Sequence, residues 1–316
     1  MESQIQNCII ETIGATPLVA LDRLCCDLPG RVLLKIEFFN PGFAIKDRIA
    51  RQIIEDAERD GRLKPGDTVI ELTSGNTGTG LAIVCGVKGY RLICVMSEGN
   101  TPERARMMSA LGAEVVLVPQ LENSQRGQVS GADLAEVERV TQELTQKYNA
   151  FRADQFNNPS GTRAHFITGQ EIWQQSGGKV DAFISTAGTG GTFSGVSKTL
   201  KELNPQVRCY LVEPAGAPYL ADKPITQPNH KIQGAGYMMD LQVDRKLVDE
   251  FLTVTDDEAI QTARQLAKTE GIFAGFSTGA NVAVALRLAR VAKAGEVLVT
   301  TPNDSGLKSL STDLYK

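Results

Sequence analysis

From Arg31 onward, short apolar runs alternate with longer segments of helical period, and that rhythm leaves few folds open. Strands are expected at 31–37, 67–72, 91–96 and 114–118, and again at 181–185, 207–212 and 296–300. Between the first two, Ile45, Ile49, Ile53 and Ala57 recur every fourth residue and so share one helix face. Thr101-Pro102-Glu103 is a helix start, with a capping Thr, Pro at the first position and an acid in the first turn. Thr255 to Glu258 spells a capping box. Further helices are expected at 132–148, 162–175, 192–203 and 277–293. Strand–helix alternation of this kind builds mostly parallel sheet with helices on both faces. The polar stretch 120–131 and the proline-rich stretch 214–228 interrupt the rhythm, and a boundary near 150–157 gives two sheets as the simplest arrangement.

A chain of 316 residues suits two domains or one large one. With a net charge of −4 and no basic block, it offers nucleic acid no electrostatic footprint. Its most apolar stretch, 81–96, is broken by Lys88 and Arg91, so no membrane span is expected. The six cysteines form no CxxC pair, and the two histidines, His165 and His230, lie far apart, so no metal site is expected. The scattered cysteine spacing fits a reducing, cytoplasmic setting. His165 reads as a partly buried, satisfied side chain, and His230 as structural or pocket-lining.

Chemistry concentrates at three places. In Asn40-Pro41-Gly42-Phe43-Ala44-Ile45-Lys46-Asp47-Arg48, a breaker pair opens a helix with Lys46 in its first turn, where the helix dipole disfavours a cation. Thr73-Ser74-Gly75-Asn76-Thr77-Gly78 follows a strand and opens a helix, the place where ligands bind open α/β sheets. Its hydroxyls, side-chain amide and helix-terminal N–H groups suit a carboxylate or phosphate. Ala187-Gly188-Thr189-Gly190-Gly191-Thr192 is a second such junction, and its three glycines let backbone approach an anion. Phe193 stands where a GxGxxG dinucleotide fingerprint needs glycine, and no GxxxxGK[ST] occurs. Each glycine turn alone is as consistent with an empty turn as with a site. A lysine, a phosphate cradle and a carboxylate turn together are what pyridoxal-phosphate chemistry on an amino acid requires.

The chain resembles the cysteine synthase (O-acetylserine sulfhydrylase) and cystathionine β-synthase family of fold-type II pyridoxal-phosphate enzymes. The resemblance spans nearly its whole length. It rests on Gly14 to Leu18, Asn40-Pro41-Gly42 with Lys46-Asp47-Arg48, and Thr73 to Gly78. Gln155-Phe156 with Asn158-Pro159, Gly188 to Thr192, Glu213-Pro214, His230 to Gly234 and Gly279-Ala280 complete it. It implies two open, mostly parallel α/β domains of the tryptophan synthase β-like kind, with the pyridoxal 5'-phosphate cleft between them. Residues 40–155 would form the smaller, carboxylate-binding domain, and 1–39 with 156–316 the larger, phosphate-binding one. It implies that Lys46 carries the cofactor as a Schiff base and moves the α-proton, and that Asn76 binds the cofactor's phenolic oxygen. Gly188, Thr189, Gly190, Gly191 and Thr192 would hold the phosphate, and Ser305 would face the pyridine nitrogen. Thr73, Ser74, Gly75, Thr77 and Gln155 would bind the substrate carboxylate, with Gly234 and Tyr237 also at the substrate. The implied reaction is β-replacement through an aminoacrylate, O-acetylserine and sulfide giving cysteine and acetate, in a homodimer.

The sequence departs from the family pattern in three places. Phe43-Ala44 replace a Gly-Ser pair, and if Ala44 is the helix N-cap, a capping hydroxyl worth ~1 kcal/mol is missing. Gly234-Ala235-Gly236-Tyr237 is closer to the cystathionine β-synthases, and Ser305-Gly306 is followed by Leu307-Lys308-Ser309, without the usual Glu-Arg-Tyr after the glycine. Asp304 beside Ser305 reads as a solvated loop acid. These departures keep open a cystathionine β-synthase, a cysteine-consuming sulfide-releasing lyase, a synthase of a non-protein amino acid, and a non-catalytic binding homologue.

Overall fold

The computed structural model describes residues 5–73, 75–124 and 129–316. Among the described residues, ten strands run in chain order as β1 (Leu18–Ala20), β2 (Arg31–Lys35), β3 (Thr68–Leu72), β4 (Arg91–Ser97), β5 (Glu114–Val118), β6 (Phe151–Arg152), β7 (Ala182–Thr186), β8 (Arg208–Pro214), β9 (Glu250–Val254) and β10 (Val297–Thr300). The helices are α1 (Lys46–Arg59), α2 (Asn76–Lys88), α3 (Pro102–Ala110), α4 (Gly131–Tyr148), α5 (Ser160–Arg163), α6 (Phe166–Gln175), α7 (Gly191–Leu203), α8 (Asp256–Glu270) and α9 (Phe276–Ala289). Two compact units result, one of Met1–Gly14 with Asn40–Ser160, the other of Ala15–Phe39 with Gly161–Lys316.

The first unit holds a four-stranded sheet in the order β5-β4-β3-β6, parallel throughout. Ile70, Leu72, Ile93 and Val95 project to one face and pack with Val137 of α4. Helices α2 and α3 lie against the sheet too, and α1 packs on α2. Gly80 makes that last approach possible. A Cβ there would stand 3.0 Å from the Ala50 Cβ and 3.1 Å from the Lys46 carbonyl oxygen.

The second unit holds a six-stranded sheet, β1-β2-β10-β7-β8-β9, in which only the β1–β2 pair is antiparallel. β2 and β10 pair in register with Arg31 opposite Val297. Both faces are covered, which is why these strands read as continuous apolar runs. Val32, Leu34, Ile184 and Leu298 pack with α8 and α9 residues such as Leu266 and Val284. Leu33, Phe183 and Val299 pack on the opposite face with Phe193 and Val196 of α7.

Three expectations change. The helix expected at 162–175 is two, α5 and α6, broken at His165, whose φ of −100° and ψ of 0° leave the helical range. Thr101 occupies the N-cap of α3, but its hydroxyl makes no cap bond and is buried without a partner. The N-cap of α1 is Ile45, not Ala44, and Ala44 is fully buried. The box at Thr255 and Glu258 forms with both reciprocal bonds, and a second box, Ser130 with Asp133, opens α4. Among the described residues, no helix is long and apolar enough to cross a membrane.

Candidate functional site

Lys46 is the first residue of α1 and is half-buried. The turn before it is held tightly. Phe43 N–H donates to the Asn40 carbonyl at 2.8 Å, and Gly14 N–H donates to the Asn40 side chain at 2.9 Å. The fully buried Asp47 carboxylate accepts from Gly42 N–H and fills the space a Gly42 Cβ would need. Phe43 itself has φ +58°, the left-handed region that favours glycine, and the residue is 42% exposed. The family's glycine at this position would take that conformation without cost. Phe43 does so at about 1–2 kcal/mol.

The Thr73–Gly78 turn starts where β3 ends. Thr73 Oγ1 accepts from Gly75 N–H at 3.1 Å and Gly78 N–H at 3.0 Å, so the hydroxyl braces its own turn. Gly75 takes φ +135° and caps α2. Asn76 is the first helical residue, and Gly80, one turn on, is the residue that meets Lys46. Thr77 Oγ1 donates to Gln155 Oε1 at 2.6 Å, and Gln155 Nε2 donates to the Leu72 carbonyl at 2.9 Å. Of the residues expected at a carboxylate, this unit therefore gathers Thr73, Gly75, Thr77 and Gln155. Ser74 lies outside the described residues.

Sequence reasoning passed over two neighbours of this turn. Arg104 of α3 lies against Gly75, where an added Cβ would sit 2.8 Å from the Arg104 Cδ. Glu71, beneath Gln155 on β3, accepts from Gln155 N–H at 3.4 Å on one oxygen and has no partner on the other. Complete burial pushes its carboxyl up to about 8, against the pull of Arg152. The periodic signal of a strand marks Glu71 as a break in an apolar run, and nothing more.

In the second unit, β7 runs into Ala187–Thr192 and α7 begins at Gly191. The opening amides of a helix have no carbonyl behind them and favour an anion. Gly190, at φ +90°, packs on the Gln242 backbone and the Val243 side chain, where a Cβ would lie 2.7 Å from the Gln242 carbonyl carbon. A Gly191 Cβ would lie 2.9 Å from the Gly161 carbonyl carbon. Ser194 ties the loop down, donating to the Gln242 carbonyl at 2.8 Å and accepting from Asp244 N–H at 2.9 Å. The result is a bare-backbone cradle with two hydroxyls, Thr189 and Thr192, whose donor set fits a phosphate.

Two further expected segments meet this loop. Gly236 N–H donates to the Ala187 carbonyl at 3.3 Å, which brings the Gly234–Tyr237 segment to it. His230 lines the same segment, with Nε2 3.4 Å from the Gly236 carbonyl, and burial lowers its basicity. Asn303 Nδ2 donates to Thr186 Oγ1 at 3.2 Å, anchoring the 302–305 segment beside the end of β7. Ser305 is buried and its hydroxyl oxygen accepts from Leu307 N–H at 3.3 Å. Asp304 is not the solvated acid expected from sequence. It is buried, its carboxylate occupies the space beside Gly275 at the start of α9, and its carbonyl accepts from Gly275 N–H at 3.2 Å. His165 is likewise fully, not partly, buried.

Residues 9–302 match the family described as pyridoxal-phosphate dependent enzyme. A cysteine synthase of Staphylococcus aureus is 40% identical over 311 residues, covering 97% of this chain and 96% of the relative. The O-ureido-L-serine synthase of Streptomyces lavendulae is 40% identical over 312 residues, covering 98% and 92%. Among solved structures, O-acetylserine sulfhydrylase isoform 3 of Entamoeba histolytica superposes with a TM-score of 0.90 at 38% identity, over 100% of this chain and 93% of that one.

Proposed function

The chain belongs to the pyridoxal-phosphate-dependent enzymes, with the cysteine synthases, and from that footing we propose that it replaces the β-substituent of an L-amino acid, O-acetylserine and sulfide giving cysteine and acetate. What carries this reading is the locking of α1 to α2 at Gly80, which fixes Lys46 one helical turn from the Asn76 end of an anion-binding turn. Bound pyridoxal phosphate supplies the electron sink that weakens the substrate's Cα–H bond. Lys46 Nζ holds the cofactor and takes the α-proton. Asn76 donates to the phenolic oxygen, and Thr73, Ser74, Gly75, Thr77 and Gln155 orient the substrate carboxylate. Gly188 to Thr192 hold the phosphate through helix-terminal amides and two hydroxyls. Ser305, whose oxygen already accepts from Leu307, keeps its proton for the pyridine nitrogen. Gly234 and Tyr237 border the substrate. We take the enzyme to be a cytosolic homodimer, which light scattering on the purified protein tests.

A second reading has its own support. The S. lavendulae relative, an O-ureido-L-serine synthase, matches this chain at the same 40% identity as the cysteine synthase. With Phe43 and Ala44 beside Lys46, the same core would then serve a different nucleophile. The test uses purified protein loaded with pyridoxal phosphate. Borohydride should bleach the visible band and leave the label on Lys46. O-acetylserine, serine, cysteine and O-phosphoserine are then each supplied with sulfide, homocysteine or hydroxyurea, and products are read by mass. Cysteine from O-acetylserine and sulfide supports the first reading, and an O-ureido product the second. A colourless protein that takes up no pyridoxal phosphate sinks both.

A further inference from the structure

His165 stands at the corner between α5 and α6, fully buried, with a hydroxyl on each ring nitrogen. Nδ1 lies 3.2 Å from Thr168 Oγ1, and Nε2 lies 3.1 Å from Thr192 Oγ1. We infer that His165 is a positioning residue for the phosphate loop: through the chain Thr168–His165–Thr192 it turns the Thr192 hydroxyl proton outward, toward a phosphate monoester. The inference rests on the proposed role of Gly188 to Thr192.

The direction of the chain follows from proton counting. A neutral imidazole has one N–H and one bare nitrogen, so its two hydroxyl partners cannot play the same part. Thr168 is fully buried, and among the described residues its hydroxyl meets only His165 Nδ1. Were Nδ1 to donate, the Thr168 proton would be buried with no acceptor, which is costly. Thr168 therefore donates to Nδ1, and the ring proton sits on Nε2. Nε2–H then donates to Thr192 Oγ1, whose own proton is left for another acceptor. Thr192 lies in the first turn of α7, beside amides that also lack acceptors. Every group there then presents hydrogen. The opposite order would offer an anion a lone pair in the middle of that set.

The packing holds the ring in place. A Cβ on Gly195 would lie 2.7 Å from the His165 Cβ, so a bare residue in α7 is what lets the imidazole reach Thr192.

The test compares pyridoxal 5'-phosphate with pyridoxal, which lacks the phosphate, in titrations of protein stripped of cofactor. The bound phosphate is also followed by its phosphorus resonance. Wild type should favour the phosphorylated form strongly. His165→Leu should cut that preference about 10- to 100-fold, the worth of one hydrogen bond to a charged group, and shift the resonance. His165→Gln, which can still donate to Thr192, should recover much of it. Thr168→Val removes the hydroxyl that meets His165 Nδ1 and should also weaken the preference, and it carries the test if His165→Leu fails to fold. Pyridoxal affinity should not move. Wild-type preference retained in His165→Leu or Thr168→Val, or equal losses for both ligands, would overturn the inference with the phosphate site intact. A wild type with no preference for the phosphorylated form removes the site itself.

Discussion

Thr77 donates its hydroxyl to Oε1 of Gln155 at 2.6 Å, joining the start of α2 to a residue 78 positions later, just past β6. Gln155 in turn donates to the carbonyl that ends β3. The bond fixes the shape of the Thr73–Gly78 turn. Thr77→Val keeps the volume and removes the donor, and should cost about 1–3 kcal/mol. Urea titration should show the lower midpoint. Initial rates should show a raised KM for the amino-acid donor with cofactor absorbance retained. An unchanged KM removes Thr77 from substrate binding.

Gly78 is required by its surroundings. An added Cβ would lie 2.6 Å from the Thr73 methyl, 3.3 Å from the Cys94 sulfur, and in collision with Met108. Gly78→Ala should destabilise by about 1–3 kcal/mol, as overpacking does. Met108→Ala in the same chain should restore only part of it, because the Thr73 methyl remains. Full rescue would mean that Met108 alone sets the constraint.

Glu71 makes stability depend on pH in an unusual sense for a carboxylate. Its ordinary value is near 4.5, and burial raises it to about 8 in the fold. Between those values the folded protein holds a proton that the unfolded chain has released, so stability falls as pH rises. Complete ionisation should cost the fold on the order of several kcal/mol. Glu71→Gln cannot ionise, and its unfolding midpoint should lose the decline between pH 5 and pH 8 that wild type shows. Parallel curves for the two proteins would place the charge elsewhere.

Phe43 reverses a common ranking. With φ at +58°, glycine relieves strain there while alanine does not. Phe43→Gly should exceed Phe43→Ala in stability by about 1 kcal/mol. Restoring Gly and Ser together at 43 and 44 should alter donor or nucleophile preference and leave cofactor absorbance intact. Identical kinetics across all donors would show that the Phe43 ring has no part in selection.

The parallel architecture was legible because buried strands and amphipathic helices each have a period. The turns at 73–78 and 187–192 were legible because they follow strand ends. Three strands were not. β1 and β6 have three and two residues, too few for a pattern, and β9 is a half-buried edge. The break at His165 was hidden because apolar spacing continues across it. Arg104, Glu71 and the chain from Thr168 to Thr192 were invisible for a different reason. Their significance lies in what they touch, and residues far apart in sequence make those contacts. Asp304 was misjudged because an acid in a loop looks solvated until Gly275 is seen to leave room for it.

The register of β2 against β10 also bears on how the protein is made. Val32 and Leu34 end up fully buried, yet residues 36–296 must be synthesised before β10, their partner on the side away from β1, exists. At ribosomal speed that interval is on the order of tens of seconds. Throughout it, β2 is an apolar strand with an open edge, the kind of segment that pairs with the wrong neighbour or recruits a chaperone. The six-stranded sheet therefore closes only after β10 has been made. The β1–β2 and β7–β8–β9 pairs involve only earlier strands, and joining them into one sheet is the late step that waits for β10.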